Sequence, residues 1–456
     1  MADEYAAPRG DDDIAAPDKS TLRRAIAGSA MGNATEWYDY GSYAYVASAI
    51  GANFFPGDDP TLQTLSAFGV FAVSFAVRPF GGIVFGPLGD RLGRQKILAL
   101  TIILMASCTF LLGVVPGYDT IGVAAPIILV FLRMVQGFST GGEYGGAATF
   151  MAEYAPNRRR GFLGSFLEFG TLSGYLLAIV ITTVVSFLIG PDAMQAWGWR
   201  IPFLVAAPLG AVGLYMRLKL EDTPVFRELE ESGQKETSTA TQWADIFRQW
   251  RPLLVCGGMV IMLNVTDYTL LTYMPTYLGD TIHLSSSTAL LITACVYAGM
   301  MCVINLAGRW SDHIGRKPLW YISGVGFLVL SIPAFLVMRI NIGWAVVGFL
   351  VLGLLLVLQL STISATFPAL FPTHVRYAGF ALAYNISTAA FGGTVPLIDK
   401  YVVAEHGITL WPAYYMMGAC VVGIIAVWRA PETARASLRG TEVPDIKKQE
   451  AAPSPG

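Results

Sequence analysis

Apolar residues run through this chain in long stretches, each closed by a short cluster of Gly, Pro and charged residues. A run of about 18 residues or more crosses a hydrocarbon core of ~30 Å as a helix. The punctuation predicts spans over 25–52, 62–86, 96–115, 123–153, 161–189 and 200–219, then 252–278, 286–308, 318–338, 342–366, 376–402 and 410–429. That is an all-α integral membrane protein with twelve transmembrane helices in two six-helix bundles, residues 25–219 and 252–430. Between them lies a polar connection, 220–251, in which Trp243, Ile246, Phe247 and Trp250 fall on one face of a short helix. Such a stripe suits a helix lying in the membrane interface, or one packed on the protein. Residues 1–24 and 431–456 read as disordered, solvated ends.

Composition agrees, with 54% hydrophobic and 14% charged residues and a mean hydropathy of +0.53. Cys108, Cys256, Cys295, Cys302 and Cys420 all sit in apolar runs without CxxC spacing, which leaves no metal or redox framework. His283, His313, His374 and His406 lie near loops with no nucleophile around them, so neither an enzyme nor a cofactor site is expected. No signal peptide is apparent ahead of the first span, and nothing points to nucleic acid.

The net charge of −2 hides an asymmetry. Loops after even-numbered spans carry Arg91, Arg94, Lys96, Arg158, Arg159, Arg160, Arg217, Lys219, Arg309, Arg316, Lys317 and Arg376. The other side has only Arg200, Arg339 and Lys400, among Asp58, Asp59, Asp119, Asp192 and Asp280. Basic loops stay inside, so both termini are expected in the cytoplasm.

Ionisable groups at bilayer depth are expensive and mark function by default. In span 1, Asn33, Glu36, Tyr40 and Tyr43 share a face, with Asp39 beside it; in span 4, Arg133, Gln136, Thr140 and Glu143 repeat the spacing. Arg78 sits in span 2, Glu168 in span 5, Asn264 and Asp267 in span 7, and Asp399 in span 11, next to Lys400. The functional expectation is a cavity in which Arg133, Gln136, Asn33, Tyr40, Asn264 and Tyr268 bind a small substrate, while Glu36, Asp39, Glu143 and Glu168 carry a coupled proton. The structural alternative is a buried ion pair of Arg133 with Glu36 or Asp39. Trp37, Tyr38, Tyr40, Tyr43, Tyr45, Tyr268, Tyr273 and Tyr277 could form a box for a quaternary ammonium, although an interfacial belt or packing is their ordinary role. Gly137, Gly141 and Gly145, like Gly170 and Gly174, have the spacing for close helix packing.

One motif comes twice. Gly86-Pro-Leu-Gly-Asp-Arg-Leu-Gly-Arg-Gln-Lys96 returns half a chain later as Gly308-Arg-Trp-Ser-Asp-His-Ile-Gly-Arg-Lys-Pro318, each copy a turn between apolar runs. Glycine permits the turn, and the Asp can cap the next helix. Pro156 with Arg160 recurs as Pro372 with Arg376, and Glu221-Asp-Thr-Pro224 as Pro431-Glu-Thr433. A duplicated membrane protein follows.

The two turns resemble the signature loops of the major facilitator superfamily. Asn33-Ala-Thr-Glu-Trp-Tyr-Asp-Tyr-Gly41, Arg133-Met-Val-Gln-Gly-Phe-Ser-Thr-Gly-Gly-Glu-Tyr144, Trp197-Gly-Trp-Arg-Ile-Pro-Phe203 and Phe371-Pro-Thr-His-Val-Arg-Tyr377 are similar to its metabolite:proton symporters. Leu270-Leu-Thr-Tyr-Met-Pro-Thr-Tyr-Leu278 and Pro412-Ala-Tyr-Tyr415 look most like the proton-linked proline/glycine betaine transporters that respond to osmotic upshift. The resemblance implies a bacterial inner-membrane symporter, monomeric as a transport unit, driven by the proton gradient. It implies rocking bundles latched by Asp90, Arg94, Asp312 and Arg316. Helix 5 reads Glu168-Phe-Gly-Thr-Leu-Ser-Gly174 where antiporters carry a Gly-Pro signature, and the tail lacks the long coiled coil of some osmosensing members. Organic-acid symport (2-oxoglutarate, citrate or shikimate) and a non-transporting sensor on a carrier scaffold are the alternatives.

Overall fold

Inside a bilayer the peptide groups have no water to bond, so each apolar run must satisfy its own N–H and C=O groups, and every predicted span is a helix. The computed structural model describes residues 19–92, 94–218, 246–372 and 375–438. In chain order the spans are α1 (Lys19–Tyr45, continued as Ala47–Phe54), α2 (Pro60–Ala76 and Arg78–Leu92), α3 (Arg94–Val114), α4 (Ala124–Thr140 and Glu143–Tyr154), α5 (Arg160–Ile189) and α6 (Arg200–Leu218). The second half has α7 (Trp250–Asp267, a π-helical turn Tyr268–Tyr273, and Met274–Asp280), α8 (Ser286–Ile314), α9 (Arg316–Val337), α10 (Ile342–Leu360 with Ile363–Thr366), α11 (Arg376–Phe391 and Val395–His406) and α12 (Trp411–Arg429). Among the described residues, eight helices alone are long and apolar enough to span, and α6 makes a ninth with the helix before it, across a 58° bend. The other three are α1, which carries Glu36 and Asp39, α3, apolar over Ala99–Val114, and α11, broken after Phe391.

In the first bundle α1 packs on α5 and α6, α3 on α6, and α4 on α2 and α3; in the second, α7 packs on α11 and α12, α9 on α10 and α12, and α8 on α10. The bundles meet along α5 with α8 and α2 with α11, while α1 lies against the π turn of α7. Glycine sets the closest approaches. A Cβ at Gly137 would stand 1.7 Å from the Ser74 carbonyl oxygen, and one at Gly174 would stand 2.3 Å from that of Ala34. The α8–α9 turn holds Gly315 at φ +103°, a conformation open to glycine.

The ends differ from expectation. Helix α1 begins at Lys19, ahead of residue 25, and residues 1–18 lie outside the described set. The tail expected to be solvated from 431 is docked as far as residue 438. Glu432 accepts the N–H groups of Arg316 (2.9 Å) and Lys317 (3.1 Å), capping α9. Arg160 donates to the Ala436 carbonyl at 3.0 Å and Arg376 to that of Leu438 at 2.6 Å, so the repeated arginines, one per bundle, hold this strap. Most of the central connection, Trp243 included, lies outside the described residues; of the expected stripe, Ile246 is buried, Phe247 is exposed and Trp250 opens α7.

Candidate functional site

Two ion pairs lie within the first bundle. Asp39 on α1 accepts from Arg133 Nη1 at 2.8 Å, from Gln136 Nε2 at 3.0 Å and from Thr109 on α3 at 2.8 Å. The Arg133 guanidinium also lies over the Tyr43 ring, 3.9 Å from its centroid. One turn earlier on α1, Glu36 accepts from Arg78 Nη2 on α2 at 3.0 Å, and Arg78 lies over Phe75 and Tyr40 at 5.0 and 5.6 Å. Adjacent faces of α1 thus hold adjacent cations. Each pair is fully buried, where the attraction is strong and each charge depends on its partner.

The expected amide, phenol and remaining acids have these places. Asn33 donates to the Leu167 carbonyl (2.8 Å) and to Thr171 (2.6 Å) on α5 while accepting from Trp37 Nε1 (3.1 Å). Tyr40 shares a hydrogen bond with Thr140 at 3.1 Å. Asn264 reaches from α7 to Thr388 on α11 at 3.0 Å. Glu168 accepts from the Tyr144 hydroxyl at 2.7 Å and from Thr171 at 2.8 Å, and no cation pairs with it among the described residues. Glu143 is buried and accepts from Thr101 at 3.5 Å. Lys400 pairs with Asp280, not with its neighbour Asp399, which accepts from Thr269 at 2.9 Å.

Where the bundles face each other, the aromatics close into one cluster. Trp37 touches Tyr40 (centroids 5.5 Å apart), Tyr175 (5.4 Å) and Tyr268 (6.0 Å), and Phe75 meets Tyr268 at 5.3 Å. Trp37, Tyr38, Tyr40, Tyr43, Tyr268, Tyr273 and Tyr277 are all buried, so they form no lipid-facing belt. Tyr175 and Tyr297, with ring centroids 6.0 Å apart, belong to this cluster, and the sequence reading does not single them out. Tyr175 directly follows Gly174, whose contact with α1 brings that stretch of α5 against Trp37, a signal available in the glycine spacing.

The bundles touch on both sides of this aromatic cluster. Toward the described termini, Tyr144 stacks on Tyr384 at 4.5 Å, Asn385 donates to the Gly141 carbonyl at 2.7 Å and Tyr377 to that of Gly142 at 2.9 Å. Farther out, Asp312 accepts the N–H groups of Gly161 (2.8 Å) and Phe162 (2.9 Å) and pairs with Arg316 at 2.7 Å. The expectation that this Asp caps the next helix is corrected: it caps α5, in the other bundle, and Glu432 caps α9. Asp90 and Arg94 lie at the matching α2–α3 turn, and their side chains fall outside the described residues. On the opposite side, a cavity of about 580 Å³ lined by Tyr45, Ser48, Thr64, Tyr273, Asp280 and Lys400 lies between the bundles. Tyr45 bonds the Leu271 carbonyl at 3.2 Å and Tyr175 bonds Thr272 at 3.1 Å, tying the first bundle to the π turn.

A family model described as Major Facilitator Superfamily matches residues 38–396. The chain is 44% identical over 437 residues to the glycine betaine/proline/ectoine/pipecolic acid transporter OusA of Dickeya dadantii (strain 3937), covering 94% of this chain and 87% of that one. It is 44% identical over 447 residues to the proline/betaine transporter of Escherichia coli (strain K12), covering 96% and 89%. Its backbone follows a solved structure of the proton:xylose symporter XylE with a TM-score of 0.75 over 92% of this chain and 98% of that one, at 19% identity, a likeness of fold. The family model covers most of both bundles, the relatives run nearly end to end, and the twelve-helix architecture agrees: the chain belongs to the major facilitator superfamily.

Proposed function

We propose that this protein carries small zwitterionic osmolytes, proline and glycine betaine, into a bacterial cell across the inner membrane, coupled to protons, with both termini cytoplasmic and a monomer as the working unit. The observation that carries this reading is the 44% identity, over nearly the whole chain, to transporters named for those solutes. The site supports it. Its deep cations, Arg78 and Arg133, each already hold a carboxylate, which leaves little positive charge for a tricarboxylate. A zwitterion brings no net charge into the membrane and needs one donor group, one acceptor group and apolar walls. Arg158 and Arg159, on the side of the described termini, favour a cytoplasmic location for that side.

In this reading the Arg133, Asp39 and Gln136 network and the Asn33–Glu168 chain link the substrate chamber to the proton, and the Asp312 and Arg316 turn latches the cytoplasmic side. The test is uptake of labelled glycine betaine and proline into proteoliposomes under an imposed inward proton gradient, at low and high osmolality. Gradient-driven accumulation supports the reading, and its rise with osmolality adds osmotic activation. Uptake of 2-oxoglutarate or shikimate in place of both zwitterions moves the protein to the organic-acid branch.

A further inference from the structure

Among the described acids of the bundles, two have a carboxylate Oδ1 without a hydrogen-bond donor: Asp399, which accepts from Thr269 through its other oxygen at 2.9 Å, and Asp267. Asp267 is 4% exposed, and no cation pairs with it among the described residues. Glu36 and Asp39 have arginines, and Glu168 has two hydroxyls. A buried carboxylate left so is costly, and an uncompensated group in a carrier is the signature of a partner that arrives and leaves. It ends the regular part of α7, immediately before the π turn Tyr268–Tyr273, and such turns interrupt helices at functional sites.

Its surroundings suit an organic cation. The π turn that follows it opens among packed rings: Trp37 meets Tyr268, the residue next to Asp267, at 6.0 Å and Tyr175 at 5.4 Å, and Tyr175 meets Tyr297 at 6.0 Å. The Tyr268 hydroxyl, fully buried, also has no hydrogen-bond partner. Ring faces attract quaternary ammonium groups, which have no N–H and cannot be held by hydrogen bonds alone.

Across the same tyrosines stands the opposite charge. Arg78 gives Nη2 to Glu36, while its Nε and Nη1, fully buried, have no acceptor. Arg78 lies over the Phe75 ring at 5.0 Å, and Phe75 meets the ring of Tyr268, the residue next to Asp267, at 5.3 Å, so aromatic contacts connect a guanidinium of the first bundle to the turn of the second that carries the carboxylate. Arg133 Nε and Nη2 likewise have no acceptor, but that guanidinium faces Asp39 and Tyr43, inside the first bundle.

Resting on the transport reading above, we infer that Arg78 and Asp267 form a bipolar subsite: the zwitterion's carboxylate takes the two unpartnered N–H groups of Arg78, and its ammonium lies at Asp267 among Tyr175, Tyr268 and Tyr297. Each end of the solute then engages a different bundle, so a bound zwitterion draws the halves together.

The experiment is counterflow of labelled glycine betaine in proteoliposomes, without a proton gradient, competed by unlabelled glycine betaine and by 3,3-dimethylbutanoate, which has the same shape and carboxylate but a neutral carbon in place of nitrogen. The wild-type protein should prefer the betaine. Asp267→Asn should raise the half-saturation for betaine about tenfold to a hundredfold, the scale of one charge-assisted contact, with far less change for the carbon isostere, collapsing the preference. Asp267→Glu should keep part of it. The neutral double variant Glu36→Gln with Arg78→Gln should lose discrimination between betaine and choline, which has the cation without the carboxylate. An Asp267→Asn protein with unaltered discrimination overturns the subsite, including the case in which it loses only gradient-driven accumulation. Wild-type protein with no betaine or proline counterflow overturns the transport reading and the subsite together.

Discussion

Asp312, on the last turn of α8, accepts the backbone N–H of Gly161 at 2.8 Å, joining the end of one bundle's helix to the start of the other's. Phe162 supplies a second N–H at 2.9 Å. The first turn of a helix has N–H groups without internal acceptors and a positive dipole end, so a carboxylate there satisfies both. The bond exists only while the bundles touch at this end, which supports the proposal that it acts as a latch.

Replacing Asp312 with Ala should therefore release this end. Loss of a capping side chain costs roughly 0.5–2 kcal/mol, enough to shift a two-state population about twofold to thirtyfold. A cysteine placed at Ala381, which abuts Gly145 across the closed seam, reports it in a background without native cysteines. Faster maleimide labelling is expected in Asp312→Ala; an unchanged rate removes Asp312 from the latch.

Arg133 and Asp39 give a second prediction. Each is buried and paired at 2.8 Å, so Arg133→Gln alone strands a carboxylate and Asp39→Asn alone strands a guanidinium, each at about 3–5 kcal/mol. The double variant should be more stable than either single one, measured by thermal unfolding in detergent. If the double variant is stable and still accumulates betaine, Arg133 serves the fold and not the substrate.

Glu168 and Glu36 separate the proton role. Changing the charge of Glu36 would strand Arg78, whereas Glu168 is held only by the hydroxyls of Tyr144 and Thr171 and can change charge without leaving a cation behind. Glu168→Gln should keep betaine counterflow and lose gradient-driven accumulation. Retained accumulation would pass the proton role to another acid.

These pairings explain what was legible in the chain and what was not. Span count, the repeated turn and the buried acids follow from local properties, namely apolar length, glycine and charge inside a membrane. Which cation meets which acid depends on which helices are neighbours: Glu36 and Asp39 are three residues apart, yet one faces α2 and the other α4. The order of Asp39 and Arg133 in sequence holds no trace of Thr109 on α3 joining them. The docked tail was hidden for a different reason. Its polar, Pro-containing composition reads as solvated, and it is fixed by backbone carbonyls, which carry no sequence signal.

The glycine seams predict a sharp positional contrast. Gly137→Ala would drive a Cβ to 1.7 Å from a backbone oxygen of α2, which no side-chain adjustment relieves. Gly69 lies in α2 with nothing within 4 Å of the same virtual atom. Gly69→Ala should be neutral or stabilising by up to about 1 kcal/mol, and Gly137→Ala should lower folded yield strongly. Comparable yields, read by size-exclusion chromatography in detergent, would show that α2 and α4 can separate at little cost.

The docked tail makes the last prediction. Glu432 caps α9, while the carbonyls of Ala436 and Leu438 accept from Arg160 of the first bundle and Arg376 of the second, and Arg435 reaches the Asp312 carbonyl at 3.1 Å. One short strap thus reaches the latch and both bundles. A chain ending at residue 438 keeps every one of these bonds, and one ending at 430 loses them all. Leaving a buried donor without its acceptor costs about 1–3 kcal/mol, so the shorter chain should unfold at lower temperature and label faster at position 381, in the same direction as Asp312→Ala. Glu432→Gln should give a smaller effect of the same sign, because it removes charge from the α9 cap and leaves the two arginines bonded. If chains ending at 430 and 438 unfold and label alike, water replaces the strap at no cost, and Asp312 alone holds this end closed.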